Sequence, residues 1–497
     1  MRQPRASRNG LWVGVLALVA GVSPLGCKSQ SHDGGARITL TPCRPKGMTE
    51  EVKCGTLEVP ENRETGQGRR ISLHVAVMPA LAPSPEPDPV FFLAGGPGQA
   101  AAKLAGAIYP MVEKLHHTRD IVFVDQRGTG DSSPLACPSA EDAGLADRFS
   151  ESYETAGLRR CLADYRDAGI DATQFTTPIA MDDLEDVRSA LGYPRINLFG
   201  VSYGTRAALT YLARHPEHVR TLVLDGVAPP SMSLLVSNAE NADRAFRLTF
   251  DQCAKDAACA QAFPDLAKKF SALLARLEAH PVHTTVLDPT SGVPTPLTLS
   301  RVTFVQNLHG MLYQPAITAL LPLIIDRANE GDFSPFVAQA VGTGAMGDSI
   351  HVGMFFSVLC AEDAPRATPE LIAEHTKGTF FGAEDAHALQ EVCKFWPRGQ
   401  VTPRYYEPVH SATPVLLLSG ELDPVTPPSR AEEARVGLSR SVAVVAPGSG
   451  HMIALSGCVP KLVAKFLEQG NADGLPVDCV KGLSRPPFFV SFAGPKP

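Results

Sequence analysis

"NLFGVSYGTRAALTYLARHP", residues 197–216, joins an apolar run to a helical pattern through a serine held between two glycines. Ile196 to Phe199 reads as a strand, and from Thr205 to about His215 the apolar positions Ala207, Ala208, Tyr211 and Leu212 repeat as on one face of a helix. A sharp strand-to-helix turn of the form G-x-S-x-G exposes its serine, and Gly200 and Gly204 remove the side chains that would crowd it. Ser202 is therefore a candidate nucleophile. The neighbouring sequence gives this turn its setting. "VFFLAGGPG" (90–98), "IVFVDQRGTG" (121–130), "TLVLDGV" (221–227), "PVLLLSGELDP" (414–424) and "SVAVVAPGSGH" (441–451) are short apolar runs ending in glycine or polar turns, as buried parallel strands do. "RISLHVAVMPA" (70–80) alternates like a half-buried strand. "MDDLEDVRSALG" (181–192) places Leu184, Val187, Ala190 and Leu191 on one helical face, with acids in its first turn and glycine at its end. Strands separated by helices predict an α/β protein with a mostly parallel central sheet.

A serine hydroxyl is a weak nucleophile and needs a base, itself oriented by a third group. On a sheet with this serine turn the partners follow downstream, acid first and histidine second. Asp423 follows the strand run "VLLLSG", and His451 follows "VAVVAPG". Glu421 competes for the acid's role, with Asp423 preferred; most of the fourteen histidines, His116, His117, His215 and His218 among them, read as surface or helix-end residues. Acyl transfer also needs donors for a developing oxyanion. The main-chain N–H of Tyr203 supplies one, and the glycine-rich loop "LAGGPGQA" supplies the other, with Gly96 the expected donor.

At 497 residues the chain exceeds one ordinary domain. From about 233 to 400 the strand signals give way to amphipathic helices, with Ala242, Ala245, Phe246 and Phe250 in one and Leu266, Phe270, Leu273, Leu274 and Leu277 in another. The expected organisation is a signal segment over 1–26, a tether over 27–40, a core over 41–232, a helical cap over 233–400 and the rest of the core over 401–497. Arg2, Arg5 and Arg8 precede an apolar stretch from Leu11 to about Val22, which is the layout of an export signal and too short to span a membrane. "PLGC", ending at Cys27, resembles a lipoprotein box, so a lipid-anchored protein and a secreted or periplasmic one both fit. Without Cys27 the eleven cysteines leave an even set spaced as local couples, which suits an oxidising compartment. No C-x-x-C pair or close Cys/His cluster suggests zinc, so no metal or cofactor is expected. A net charge of −7 without long charge runs gives no reason to expect nucleic acid, and contact with a membrane is expected only through an N-terminal lipid. Oligomeric state is not legible.

Taken together, "GGPG", "VDQRGTGDSS", "GVSYGT", "GELDPVTP" and "GSGH" resemble the proline iminopeptidase and tripeptidyl aminopeptidase group of α/β-hydrolases. The likeness runs from "CGTLEVPENRETG" to "FLEQGNADGLPVDC", is loose in the insertion, and departs at Ala94, where proline iminopeptidases usually carry histidine. The resemblance implies an α/β-hydrolase fold with a helical lid and removal of short peptides or single residues from a free N-terminus. Its secreted tripeptidyl branch implies disulfides Cys43 with Cys54, Cys137 with Cys161, Cys253 with Cys259, Cys360 with Cys393 and Cys458 with Cys479. An exopeptidase must bind the substrate ammonium, and Glu362 and Asp363 in "SVLCAEDAP" are candidates for that role. The same triad would equally serve an exported carboxylesterase or lactone hydrolase acting on a small acyl substrate. A third reading, a peptide-binding lipoprotein, leaves the Ser, Asp and His set without a purpose.

Overall fold

In the computed structural model, which describes residues 37–45, 48, 50–137, 145–149, 155–344 and 349–495, the serine turn follows β6 (Ile196–Val201). Every β6 residue is buried, as expected of a strand covered on both faces. The strands are β1 (Thr41–Cys43), β2 (Val52–Pro60), β3 (Arg70–Met78), β4 (Val90–Leu93), β5 (Ile121–Val124), β6, β7 (Val219–Asp225), β8 (Val282–Leu287), β9 (Pro294–Leu299), β10 (Val415–Gly420) and β11 (Ser441–Ala446). Nine form one sheet in the order β1-β2-β3-β5-β4-β6-β7-β10-β11. The first three are antiparallel and β3 meets β5 antiparallel, whereas β5, β4, β6, β7, β10 and β11 run parallel. The loops after β4, β6, β7, β10 and β11 therefore leave from one edge, the place where open parallel sheets hold their ligands.

Alternation along each strand sorts the core into two layers: Phe91 and Leu198 point into one apolar cluster, Phe92 and Phe199 into the other. Helices α1 (Ala101–His116), α2 (Thr177–Leu191) and α3 (Tyr203–Arg214) lie in the first half of the chain. Helix α2 begins four residues before the expected start, with Pro178 in its first turn, and it ends at left-handed Gly192. Its acids consequently fall in mid-helix. There Asp183 is buried and receives two guanidinium hydrogen bonds from the fully buried Arg127, at 2.6 and 2.7 Å. Thus the arginine of "VDQRGTG" is a structural strut between the β5 loop and α2.

Between β7 and β10 the chain adds no strand to the large sheet. Helices α4 (Leu234–Lys255), α5 (Leu266–Ala279) and α6 (Arg301–Leu312) gather Phe246, Phe270, Leu273 and Phe304 into a separate apolar cluster. Two features depart from the sequence reading. A two-stranded hairpin, β8 with β9, interrupts the helices; it buries only Val286, Leu297 and Leu299, so its apolar alternation is weak. Residues of the later segment, Met354, Phe356, Leu359 and Trp396, together with Cys393 on α7 (Glu384–Cys393), pack into the sheet's own core instead of the separate cluster. Helix α8 (Val459–Gln469) covers the opposite face.

All five cysteine pairs implied by the resemblance are bonded. Cys43–Cys54 ties β1 to β2, and Cys360–Cys393 ties a π-helical turn, Leu359–Asp363, to α7. No helix among the described residues is long and apolar enough to cross a membrane. The export signal, Cys27 and most of the expected tether lie outside the described residues.

Candidate active site

Ser202 sits between β6 and α3 at φ 53° and ψ −126°, a backbone conformation that L-residues rarely hold. The flanking glycines explain how the turn closes. A Cβ on Gly200 would lie 2.4 Å from the Gly204 carbonyl oxygen, and one on Gly204 would lie 2.1 Å from that of Leu93. The Ser202 N–H donates to the Asp225 carbonyl at the end of β7, at 2.9 Å. Ser202 itself is only partly buried, while Val201 and Tyr203 on either side are buried.

His451, after β11, is buried, and its Nδ1 lies 2.8 Å from Asp423 Oδ2. Asp423 has no exposed surface; its Oδ1 accepts the N–H groups of Val425 and Thr426, and its Oδ2 also accepts the Thr426 hydroxyl, at 2.8 Å. Burial alone would raise the Asp423 carboxyl, but the adjacent His451 and these donors bring it below its usual value. Burial also works against a charged His451, and the Asp423 carboxylate more than reverses this, raising the imidazole above 6.5. Glu421 accepts instead from the Gly448 N–H at 2.8 Å, so its carboxylate braces the loop before the histidine.

The end of β7 joins the serine and histidine loops. Asp225 receives Ser202 on its carbonyl, and its fully buried carboxylate accepts the N–H groups of Ile453 and Ala454, at 2.9 and 2.7 Å. A Cβ on the next residue, Gly226, would lie 2.9 Å from His451 Cε1. Burial pushes the Asp225 carboxyl up to about 6, against the pull of those two amides. Neither Asp225 nor Thr426 stood out in the sequence. The available signals were an aspartate closing a buried strand and a threonine three residues after the acid.

The segment between β7 and β10 also reaches this site. Tyr313, immediately after α6, accepts the His451 N–H on its carbonyl at 3.0 Å and sets its ring edge-on to the imidazole, with centroids 5.1 Å apart. Asn241 of α4 donates to the Val425 carbonyl at 2.7 Å. Both loops that carry the downstream partners are thus held from above.

Of the two expected oxyanion donors, Tyr203 directly follows the serine. Tyr203 opens α3, so its N–H belongs to the first turn, which has no intrahelical acceptor. Gly96 adopts φ 108°, but the glycine against the nucleophile is Gly95, whose added Cβ would lie 3.2 Å from Ser202 Cβ. The ammonium role expected of Glu362 and Asp363 does not fit their surroundings. Glu362 accepts the Thr177 N–H and hydroxyl and the Tyr405 hydroxyl, while Asp363 accepts Arg206 at 2.7 Å and the Leu234 N–H at 2.9 Å. Every carboxylate oxygen is already committed inside the protein. One group with metal-ligand spacing occurs among the described residues, His74, Asp125 and Asp131. Its Asp125 oxygens already accept the N–H groups of Ala102 and Asp131, and the His74 Nδ1 lies 3.2 Å from one of them.

A nine-stranded, mostly parallel sheet with a serine turn at the end of β6 defines an α/β hydrolase. The chain belongs to the alpha/beta hydrolase fold family, whose model matches residues 88–457. It is similar to serine protease Hip1 of Mycobacterium tuberculosis, with 23% identity over 496 residues covering 88% of this chain and 90% of that one. Tripeptidyl aminopeptidase of Streptomyces lividans is 25% identical over 467 residues, covering 87% and 84%. Carboxylesterase B of M. tuberculosis is 26% identical over 465 residues, covering 86% of each. Among solved structures, proline iminopeptidase of Mycobacterium smegmatis aligns with a TM-score of 0.41 and 17% identity, covering 84% of this chain and 98% of that one. Relatives named serine protease and tripeptidyl aminopeptidase support a serine peptidase-like hydrolase.

Proposed function

We propose that the protein is an exported serine aminopeptidase that cleaves near a free N-terminus through Ser202, His451 and Asp423. The observation that carries this reading is the buried 2.8 Å contact between His451 and Asp423, on the sheet edge where strained Ser202 is turned out. With Nδ1–H donating to Asp423, His451 offers Nε2 to take the serine proton as Ser202 Oγ attacks the scissile carbonyl. The Tyr203 N–H and a main-chain N–H of the Gly95–Gly96 loop receive the oxyanion. His451 then protonates the leaving amine, and water activated by the same imidazole hydrolyses the acyl-enzyme. Five disulfides and the N-terminal sequence support an oxidising, extracytoplasmic setting.

The test is hydrolysis of Ala-Pro-Ala fluorogenic amides, one with a free and one with an acetylated N-terminus, with Ser202→Ala as the blank. Cleavage restricted to the free peptide and lost in the variant is expected. Turnover of a simple ester with neither amide cleaved would move the function to the esterase reading, which the similarity to carboxylesterase B favours.

A further inference from the structure

The loop that carries Gly95 and Gly96 is tied to a stretch of the chain between β7 and β10. A glycine-rich loop has little conformational preference of its own, so the place of its N–H groups is set by its attachments. Three attachments run to residues 349–351. The Gly98 carbonyl faces both the main-chain N–H of His351, at 3.0 Å, and its Nδ1, at 3.1 Å; a carbonyl only accepts, so that ring nitrogen carries a proton. Gln99 and Ile350 pair as an isolated antiparallel bridge. The Gln99 side-chain amide donates to the Ser349 hydroxyl at 2.9 Å. The approach is close, for Gly98 sits at φ 106° and a Cβ there would lie 2.9 Å from the His351 carbonyl oxygen.

Gln99 connects these ties to the nucleophile. Its main-chain N–H closes the loop on the Gly95 carbonyl at 3.3 Å. A Cβ added to Gly95 would lie 3.1 Å from Gln99 Oε1 and 3.2 Å from Ser202 Cβ, so only that glycine separates the two side chains. The same stretch also reaches the start of α3. From His351 it continues through the helix Val352–Val358, whose Met354 and Phe356 pack into the sheet's core, to the π-helical turn Leu359–Asp363. There Glu362 accepts the Thr177 hydroxyl at 2.9 Å, Thr177 Oγ1 lies 2.7 Å from the Tyr203 hydroxyl, and Asp363 accepts Arg206. Residues 349–363 therefore hold both elements that carry the expected oxyanion donors. We propose that this stretch is the template that sets the spacing of the oxyanion hole, with Gln99 and Ser349 as positioning residues. The proposal rests on Ser202 being the nucleophile, as in the reading above, and applies to an ester as much as to a peptide.

Donors that are displaced weaken the transition state more than the bound substrate. The experiment measures kcat and KM for the free Ala-Pro-Ala amide, kcat/KM for p-nitrophenyl acetate, and inhibition by phenylboronic acid, whose tetrahedral adduct on a serine sets an oxygen where the oxyanion forms. The proteins are the wild type, Gln99→Met, Ser349→Ala, Ser349→Thr and the double variant Gln99→Met with Ser349→Ala. Losing a donor outright costs roughly 10² to 10³ in rate, so displacing one should lower kcat about ten-fold in Gln99→Met and in Ser349→Ala. KM for the amide should stay within about two-fold, and boronate inhibition should weaken by the same factor as kcat. The double variant should lose no more than the larger single loss, because the two side chains make one contact. Ser349→Thr, which keeps the hydroxyl, should retain most of the rate. Ser349→Ala, the smaller change, carries the test if Gln99→Met unfolds. A loss confined to KM, unchanged boronate inhibition, or single losses that multiply in the double variant overturns the proposal and leaves the aminopeptidase reading standing. Turnover of the ester with no peptide cleaved overturns that reading, and the ester and boronate series then decides the proposal. A wild type inert toward all three probes overturns both.

Discussion

Two buried carboxylate clusters, Asp423 in one and Glu362 with Asp363 in the other, diverge in chemistry because their partners differ. Asp423 faces His451, an imidazole, the side-chain type that both gives and takes a proton near neutral pH. Glu362 and Asp363 face Arg206, a buried guanidinium that does not deprotonate. The first pair can move charge during a reaction, whereas the second can only hold charge in place. Burial and ion pairing therefore do not by themselves mark a reactive site.

The largest expected effect separates the two clusters directly. Asp423→Asn should lower kcat/KM about 10⁴-fold while the melting transition moves little, as when a triad acid is replaced by its amide elsewhere. Conversely, Arg206→Met should destabilise the fold by about 3–5 kcal/mol in denaturant titration by stranding two buried acids. A variant that instead unfolds in the first case, or keeps full stability in the second, would erase the contrast. At intermediate size, Thr426→Val removes one donor from Asp423 and should cost about ten-fold in kcat/KM at constant fold stability. The smallest effect is a displacement on the pH axis. Activity should fall as pH drops through the His451 pKa, with a midpoint above 6.5, because the protonated ring cannot act as base. Removing the Asp423 charge in Asp423→Asn should move that midpoint down, which a pH series of residual activity measures.

The parts of this arrangement that could be read in the sequence are those encoded locally. Apolar runs ending in glycine marked the parallel strands, and Ser202, Asp423 and His451 each stand on the turn or loop that follows one of them. The remaining residues depend on contacts made across the chain. Glu362 and Asp363 looked available because a sequence displays a charge without its partner, and Arg206 lies far upstream on α3. Asp225 and Tyr313 hold the histidine loop from sites distant in sequence, each by hydrogen bonds to main-chain N–H groups, which no residue pattern records. The β8–β9 hairpin was missed for another reason: an exposed, threonine- and proline-bearing ribbon carries little of the alternation that marks a strand.

The left-handed backbone of Ser202 has a consequence for the evolution and engineering of the molecule. Reactivity and robustness compete at this one position, because only a residue without a Cβ would be at ease there, and such a residue cannot attack a carbonyl. Replacement by glycine should relieve roughly 1–3 kcal/mol of strain, partly offset by the greater freedom of glycine in the unfolded chain. The dead Ser202→Gly protein should therefore melt at a higher temperature than the active form, so that selection for thermal endurance alone would tend to discard the nucleophile.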